Sequence, residues 1–182
     1  MNGDGLIDIR GNVDQRQDVR QLWGDALRRI PEGLLPQAAS SDSRAFLIQI
    51  GLPAEGPLDL PLYFDDRLLK PVTRGGRIFF AFGEDGPGVV LLATEAGQNG
   101  VFSVSPDGPS TFVNSSISDF VYSYGVFAQR HRQIIELPHE EGNAVIGEVR
   151  ELIAARDAEA LEPDGWLSWW DELLSSLDGE EE

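Results

Sequence analysis

Five short apolar segments between Leu60 and Val113 constrain the fold more than any other part of the chain. They are rich in β-branched and aromatic residues, which favour strands, and glycine-containing turns separate them. Gly75-Gly76 and Asn99-Gly100 supply positions at positive φ, which suit tight connections between antiparallel strands. The sequence therefore predicts an antiparallel meander with strands at Leu60–Phe64, Gly76–Phe82, Val89–Thr94, Val101–Ser105 and Ser110–Val113.

Two helices are predicted before the strands. Apolar residues recur at helical spacing from Arg16 to Ile30, where Pro31 interrupts the pattern. A shorter helix is predicted after Ser41-Asp42-Ser43, because these side chains can accept hydrogen bonds from its first amide groups. Gly51 can end that helix in the left-handed conformation.

Three helices are predicted after the strands. Ser116 and Asp119 have the spacing of a capping box, which begins a helix there. Two more follow Pro138 and Pro163. Because strands and helices are segregated along the chain, the predicted class is α+β, with an antiparallel sheet of about five strands flanked by N-terminal and C-terminal helices. The inward residues of the first of these helices are predicted to be Ile117, Phe120, Val121, Tyr124, Phe127 and Ala128. Apolar residues at helical spacing mark the other two: Val145, Val149, Leu152 and Ile153, and then Trp166, Trp169, Trp170, Leu173, Leu174 and Leu177.

The length fits one domain, since 182 residues build one core but would crowd two. We predict a flexible N-terminal segment over residues 1–15, a single domain over residues 16–178 and an acidic tail over residues 179–182. No apolar run approaches the roughly 18 residues that span a bilayer. The first residues lack the basic and apolar regions of a secretory signal, so a cytoplasmic protein is expected.

The charge is strongly negative and unevenly distributed. The chain has 31 acidic and 14 basic residues, a net charge of −17. Residues 1–135 hold 16 acidic and 12 basic residues, whereas residues 136–182 hold 15 and 2. Such a field repels nucleic acid and attracts cationic partners. The alternative is a solvated helical surface with a frayed tail, which keeps a protein soluble without any partner.

Three pairs of adjacent acidic residues and one tryptophan are the candidate contacts to a partner. Neighbouring carboxylates in turns usually stay solvated, yet they can form charge-assisted hydrogen bonds to arginine or lysine on another protein. The Glu84-Asp85 pair is expected at the tip of a hairpin, and Trp169 lies off the apolar stripe of the last helix. The predicted partner-binding residues are Asp65, Asp66, Glu84, Asp85, Glu140, Glu141 and Trp169.

No residue pattern indicates catalysis or metal binding. His131 and His139 are expected in solvent-exposed positions near a helix end and in the following loop, and no nucleophile motif accompanies them. Asn2, Asp4 and Gly5 match part of a calcium-binding loop, but residues for its first and last ligand positions are missing. The chain has no cysteine, which excludes thiolate metal sites. A non-enzymatic protein without catalytic residues, cofactor or metal is expected.

Four stretches of the chain together match a known family: Arg44–Pro53, the glycine-bounded strands up to Ser105, Phe112–Phe120 and Trp166–Leu177. They resemble the SUKH superfamily, and most closely its fourth immunity subgroup. Each can be explained by packing, as in a helix that ends in Gly-Leu-Pro or a strand that runs into a capped helix. The resemblance therefore concerns the fold rather than a reaction. It extends from Gln17 to Leu177.

The resemblance implies a role in immunity against toxins. Bacterial SUKH proteins are encoded beside polymorphic toxins, many of them nucleases or deaminases, and they block the toxin by binding it. Nuclease surfaces are commonly basic because they engage phosphates, so an acidic protein gains long-range attraction to them. The implied function is stoichiometric occlusion of a basic cognate toxin, without direct binding to nucleic acid or membrane. A scaffold or regulatory module of the same fold and a small acidic hydrolase are the alternatives.

Overall fold

The segregation of helices and strands along the chain is confirmed. The computed structural model describes the backbone of residues 9–54, 62–63, 69, 71–85, 91–106, 108–162 and 168–177. Within these ranges the helices are α1 (Ile9–Trp23), α2 (Ser41–Gln49), α3 (Ile117–Glu136), α4 (His139–Arg156) and α5 (Trp169–Ser175). The strands are β1 (Leu27–Arg28), β2 (Leu52–Pro53), β3 (Leu62–Tyr63), β4 (Pro71–Arg74), β5 (Arg77–Asp85), β6 (Leu91–Glu95), β7 (Val101–Val104) and β8 (Ser110–Asn114). The protein is an α+β protein, as predicted.

The main sheet is antiparallel throughout, and its six strands occupy five positions. The order is β3-β5-β6-β7-β8, and β4 also pairs with β5. Strand β3 pairs with the end of β5 at Glu84 and Asp85, while β4 pairs with its beginning between Arg77 and Phe80. The two short strands therefore share one edge of β5. The sequence did not predict β4 as a strand.

The turn between β4 and β5 has the predicted chemistry. Arg74 pairs with Arg77, so only two residues connect the strands. Gly75 and Gly76 have φ values of 55° and 76°, which glycine adopts without a steric penalty. This backbone twist matches that of the flanking strands, and the hairpin is therefore tight.

Helix α3 covers one face of the sheet and forms the centre of the main core. Its predicted cap is confirmed, since the Asp119 amide donates to Ser116 Oγ at 3.1 Å. Five of its six predicted inward residues are buried, and Ala128 is half-buried. They pack on alternate residues of the strands, because successive strand side chains point to opposite faces. The strand residues that share this main core include Phe80, Phe82, Leu92, Val101 and Val113.

The first helix differs from its prediction at both ends. It begins at Ile9 rather than Arg16, so residues 9–15 of the predicted flexible segment are helical. It ends at Trp23 rather than Ile30, because Gly24 adopts a φ of 54° and leads into a single 3₁₀ turn. The chain then becomes extended, and Ile30 is buried beside α2, where its amide donates to Leu47 O at 3.0 Å.

The cap of the second helix lies one residue before the predicted cap residues, and the helix ends as predicted. The capping side chain is that of Ser40, which accepts from the Ser43 amide at 3.1 Å. Gly51 follows with a φ of 100°. A Cβ atom at this glycine would lie 2.1 Å from Arg28 O, so the strand β1 can approach only because the side chain is absent.

The last two helices occupy the predicted regions. Val149 and Ile153 of α4 are fully buried, whereas Leu152 is 39% exposed. Trp170 and Leu174 anchor α5 in the core. Trp166, which was also assigned to this helix, lies outside the described residues.

A buried polar network joins α4, α5 and β8. Trp170 Nε1 donates to Asn114 Oδ1 at 3.0 Å, and Asn114 Nδ2 donates to Asp157 Oδ2 at 2.9 Å. The Asp157 carboxylate also accepts from the amide and hydroxyl of Ser115, each at 2.7 Å. Buried polar groups are costly unless paired, so this arrangement specifies how the C-terminal helices sit on the sheet. In the described part of the chain, no helix is long and apolar enough to cross a membrane.

Candidate partner-binding surfaces

Helix α4 presents four glutamates on one side, which we call the acidic helix face: Glu140, Glu141, Glu148 and Glu151. All four are exposed. At about 100° per residue they fall within roughly a third of the helix circumference, opposite the buried residues Val149 and Ile153. Glu148 lies 3.7 Å from Arg130. The other three form no ion pair with any residue that the structure describes.

Apolar residues lie among these carboxylates. Ala144 and Ala155 project from the middle of the same arc and are exposed, and Leu152 lies at its edge. An exposed leucine beside acidic residues is unfavourable in water but is useful at an interface, where apolar contacts are surrounded by a polar rim. The acidic helix face therefore combines charge with a small apolar centre.

The Glu84-Asp85 pair lies inside the sheet and not at the tip of a hairpin. Glu84 pairs with Tyr63 on one side and Leu91 on the other, and its side chain is half-buried. The predicted strand stopped at Phe82, but β5 continues through an irregularity near Gly83. The side chain of Asp85 lies outside the described residues, as do Asp65 and Asp66.

Trp169 is half-buried rather than fully exposed. Its ring meets Trp170 edge-on with centroids 4.9 Å apart, and Phe120 at 6.3 Å. One side of the indole thus covers the core while part of it remains accessible. Such a residue is rigid without being hidden, which suits an aromatic contact to a partner.

The two histidines lie elsewhere than expected. His131 is 5% exposed, and its ring packs against Phe127 with centroids 5.5 Å apart. The prediction that it is exposed is wrong, because its position continues the buried stripe of α3. His139 is exposed and is the first residue of α4, not part of a loop, and its Nε2 lies 3.2 Å from Asn143 Nδ2.

The face of the sheet opposite α3 carries a second, smaller apolar cluster that the sequence analysis missed. Its buried residues are Phe79, Ala81, Ala93 and Val104. The guanidinium of Arg77 lies over the rings of Phe79 and Phe102, at 5.0 and 5.4 Å from their centroids. An available signal was the unbroken apolar run Ile78–Phe82, which is typical of a strand covered on both faces.

Arg77 is held in this position by a carboxylate. Its Nε donates to Glu95 Oε1 at 3.0 Å, a second bond joins Nη2 to Glu95 Oε2, and Nη1 donates to Ser110 Oγ at 3.0 Å. These hydrogen bonds hold the pKa of Glu95 below its ordinary value of 4.5. A bidentate pair of this kind fixes the planar guanidinium over the rings.

This pair predicts a pH dependence. Because the pKa of Glu95 is lower in the folded than in the unfolded protein, the pair stabilises the fold above the unfolded pKa. That contribution is lost as the pH falls through the lower, folded pKa. We expect an NMR titration of the Glu95 carboxylate to have its midpoint below 4.5 and Arg77→Gln to move it upward. Arg132→Gln, at a distant position, should leave the midpoint unchanged; an equal shift in both variants would contradict the assignment.

The family comparison agrees with the observed fold. The family model of the SUKH-4 immunity proteins matches residues 15–176, which is most of the chain. The chain belongs to the SUKH-4 immunity protein family. No curated protein and no solved structure matches it significantly. The resemblance predicted from the four stretches is therefore confirmed.

Membership of the SUKH-4 family decides how these surfaces are interpreted. An immunity protein acts by binding, and the family is generally non-enzymatic. The exposed surfaces of this SUKH-4 protein are thus its candidate binding sites. The described residues offer two surfaces that differ in charge. One is the acidic helix face. The other is the face of the sheet opposite α3, which carries Arg77 and which we call the arginine-bearing face.

Proposed function

We propose that this SUKH-4 protein neutralises a cognate protein toxin by binding it in a one-to-one complex that occludes the toxin's functional surface. The acidic helix face is the proposed centre of the interface. The observation that carries the proposal is that three of its four glutamates are exposed and have no ion-pair partner among the described residues. Unpaired carboxylates are available to the arginines and lysines of a partner.

The charge distribution supports a basic partner. A net charge of −17 creates a potential that accelerates encounter with a positively charged surface. A toxin that acts on nucleic acid has such a surface, because it must neutralise phosphates. An acidic protein bound there competes with the nucleic acid for the same positive groups. Binding alone then blocks the toxin, and no reaction is required.

The apolar centre of the face supports a specific complex rather than a purely electrostatic one. Charged rims mainly affect the association rate, whereas desolvated apolar contacts near the centre slow dissociation. Leu152, Ala144 and Ala155 would provide those contacts. We also propose Trp169 as an aromatic contact. The other proposed contacts from the sequence remain Asp65, Asp66, Glu84 and Asp85.

The experiment begins with the product of the adjacent reading frame. We expect it to be toxic when expressed alone, to be harmless with this protein and to co-purify with it. A co-purifying protein that is not toxic would support the scaffold or regulatory alternative instead. Turnover of a substrate by the purified protein without the partner would contradict the proposal.

Charge reversal tests the position of the interface. Glu140→Lys with Glu141→Lys is expected to slow association about tenfold at low ionic strength and to flatten its salt dependence. Asp25→Lys with Glu162→Lys is the matched control, because it changes the net charge equally at exposed positions outside α4 that form no ion pair with the described residues. Stopped-flow association rates at several salt concentrations separate the two. Equal slowing in both double variants would mean that only the net charge matters and would remove α4 from the interface.

A further inference from the structure

The arginine-bearing face of the sheet contains a cleft. Binding of a basic partner at α4 gives this cleft no role. It lies between the tip of the β4–β5 hairpin and the connection from β7 to β8, and has a volume of about 310 Å³. This is near the lower end of the range for small-molecule sites, and it is large enough for one or two side chains. It is lined by Arg74, Gly75, Arg77, Phe79, Val104, Ser105, Pro106, Gly108, Pro109 and Ser110.

Both charged residues that line the cleft within the described chain are arginines. Asp107, in the same connection, lies outside the described residues. Arg77 is already paired with Glu95, but Arg74 has no carboxylate partner among the residues the structure describes. Its Nη1 donates to the neighbouring Thr73 O at 3.1 Å, and its Nε is buried without an acceptor. Because its guanidinium has no carboxylate partner among the described residues, Arg74 is a position where an added carboxylate would form a charge-assisted hydrogen bond.

The floor of the cleft is apolar. The exposed Pro106 and Pro109 supply its accessible apolar surface, while Phe79 and Val104 lie beneath them, each only 2% exposed. An apolar floor beside a guanidinium matches a chain segment with two properties, a carboxylate and an adjacent apolar side chain. The protein as a whole is acidic and attracts cationic groups, whereas this small positive site attracts a carboxylate.

We propose that this cleft binds an acidic segment of another protein, with a carboxylate on Arg74 and a neighbouring apolar side chain against Pro106 and Pro109. The site lies on the opposite face of the sheet from α3. It therefore does not overlap with the acidic helix face and does not depend on the toxin. The acidic helix face would bind cationic groups and the cleft would bind a carboxylate, so the two surfaces can be tested separately.

The probes are two capped tetrapeptides that differ in one group. One carries phenylalanine followed by glutamate, and the other carries phenylalanine followed by glutamine. Binding is followed by amide chemical shifts in the ¹⁵N-labelled full-length protein. We expect the glutamate peptide to shift the signals of residues 74–79 and 104–110 and to bind about three- to fivefold more tightly than the glutamine peptide, as for a partly exposed ion pair.

Two variants localise the effect. Arg74→Gln is expected to weaken binding of the glutamate peptide about three- to fivefold and to leave the glutamine peptide unaffected. Arg132→Gln removes the same charge from an exposed position on α3 and should bind both peptides as the wild type does. The proposal is overturned if the two peptides bind wild-type protein equally, if the shifts occur elsewhere, or if both variants weaken binding alike. The comparison of the two peptides in wild-type protein tests the proposal even if Arg74→Gln fails to fold.

Discussion

Replacing Trp170 by alanine is expected to lower the free energy of unfolding by about 3–5 kcal/mol, the range for removing a large aromatic side chain from a core. The side chain is fully buried and contacts the rings of Phe120, Phe127 and Trp169. Its loss also leaves Asn114 Oδ1 without the indole donor. Because Asn114 is itself fully buried, no bulk water reaches that oxygen unless the site opens.

Urea unfolding followed by circular dichroism measures this change, and Trp169→Ala is the control. Trp169 is only half-buried, so its removal should cost about 1–2 kcal/mol. Trp170→Phe separates packing from the hydrogen bond, because it retains a ring but has no donor. Similar losses for Trp169→Ala and Trp170→Ala would show that the buried network does not hold α5 in place.

Replacing Gly51 by alanine is expected to cost about 3 kcal/mol or more. Two effects combine at this position. The φ of 100° is unfavourable for a residue with a Cβ atom, and that atom would lie 2.1 Å from Arg28 O. The backbone of β1 would have to move away from β2, with which it pairs at Leu52 and Pro53.

Gly97→Ala provides the matched control for the backbone effect. Gly97 has a φ of 75°, but a Cβ atom there would meet nothing within 4 Å. Only the conformational cost of about 1 kcal/mol is expected. The difference between the two variants, measured from thermal or urea unfolding, isolates the close approach of β1. Equal destabilisation would contradict a tight contact at Gly51.

Local signals in the sequence predicted those parts of the fold that depend on neighbouring residues. The glycines at 75 and 76, the left-handed Gly51 and the cap at Ser116 are properties of a few consecutive residues. The segregation of strands and helices gave the α+β class, since periodicity is also a local property. These predictions needed no knowledge of tertiary contacts.

The errors have a different origin. Helix α1 was given the wrong bounds because an apolar pattern continued to Ile30, although Gly24 had already turned the chain. Strand β4 was missed because its four residues form a strand mainly by pairing with β5. His131 was wrongly predicted to be exposed because the prediction relied on its residue type rather than on its helical position. It lies four residues after Phe127 on the buried stripe.

The candidate surfaces were predictable only in part. Glu140 and Glu141 were found from their adjacency, but their relation to Glu148 and Glu151 required the phase of α4 to be known. The cleft at Arg74 combines β4, β5, β7 and the connection after it, whose proximity follows from strand pairing. A surface assembled from distant segments leaves no continuous signature in the sequence.

Arg74 and the exposed glutamates of α4 lie on opposite sides of the sheet, because α4 packs on α3 and the cleft at Arg74 is on the other face. A cationic partner that binds at α4 therefore sits on the side of the sheet away from Arg74. The hairpin end with Arg74 then points back into solvent. An acidic chain could therefore be recruited to a complex that is already formed, and the protein would act as a bridge between two partners of opposite charge.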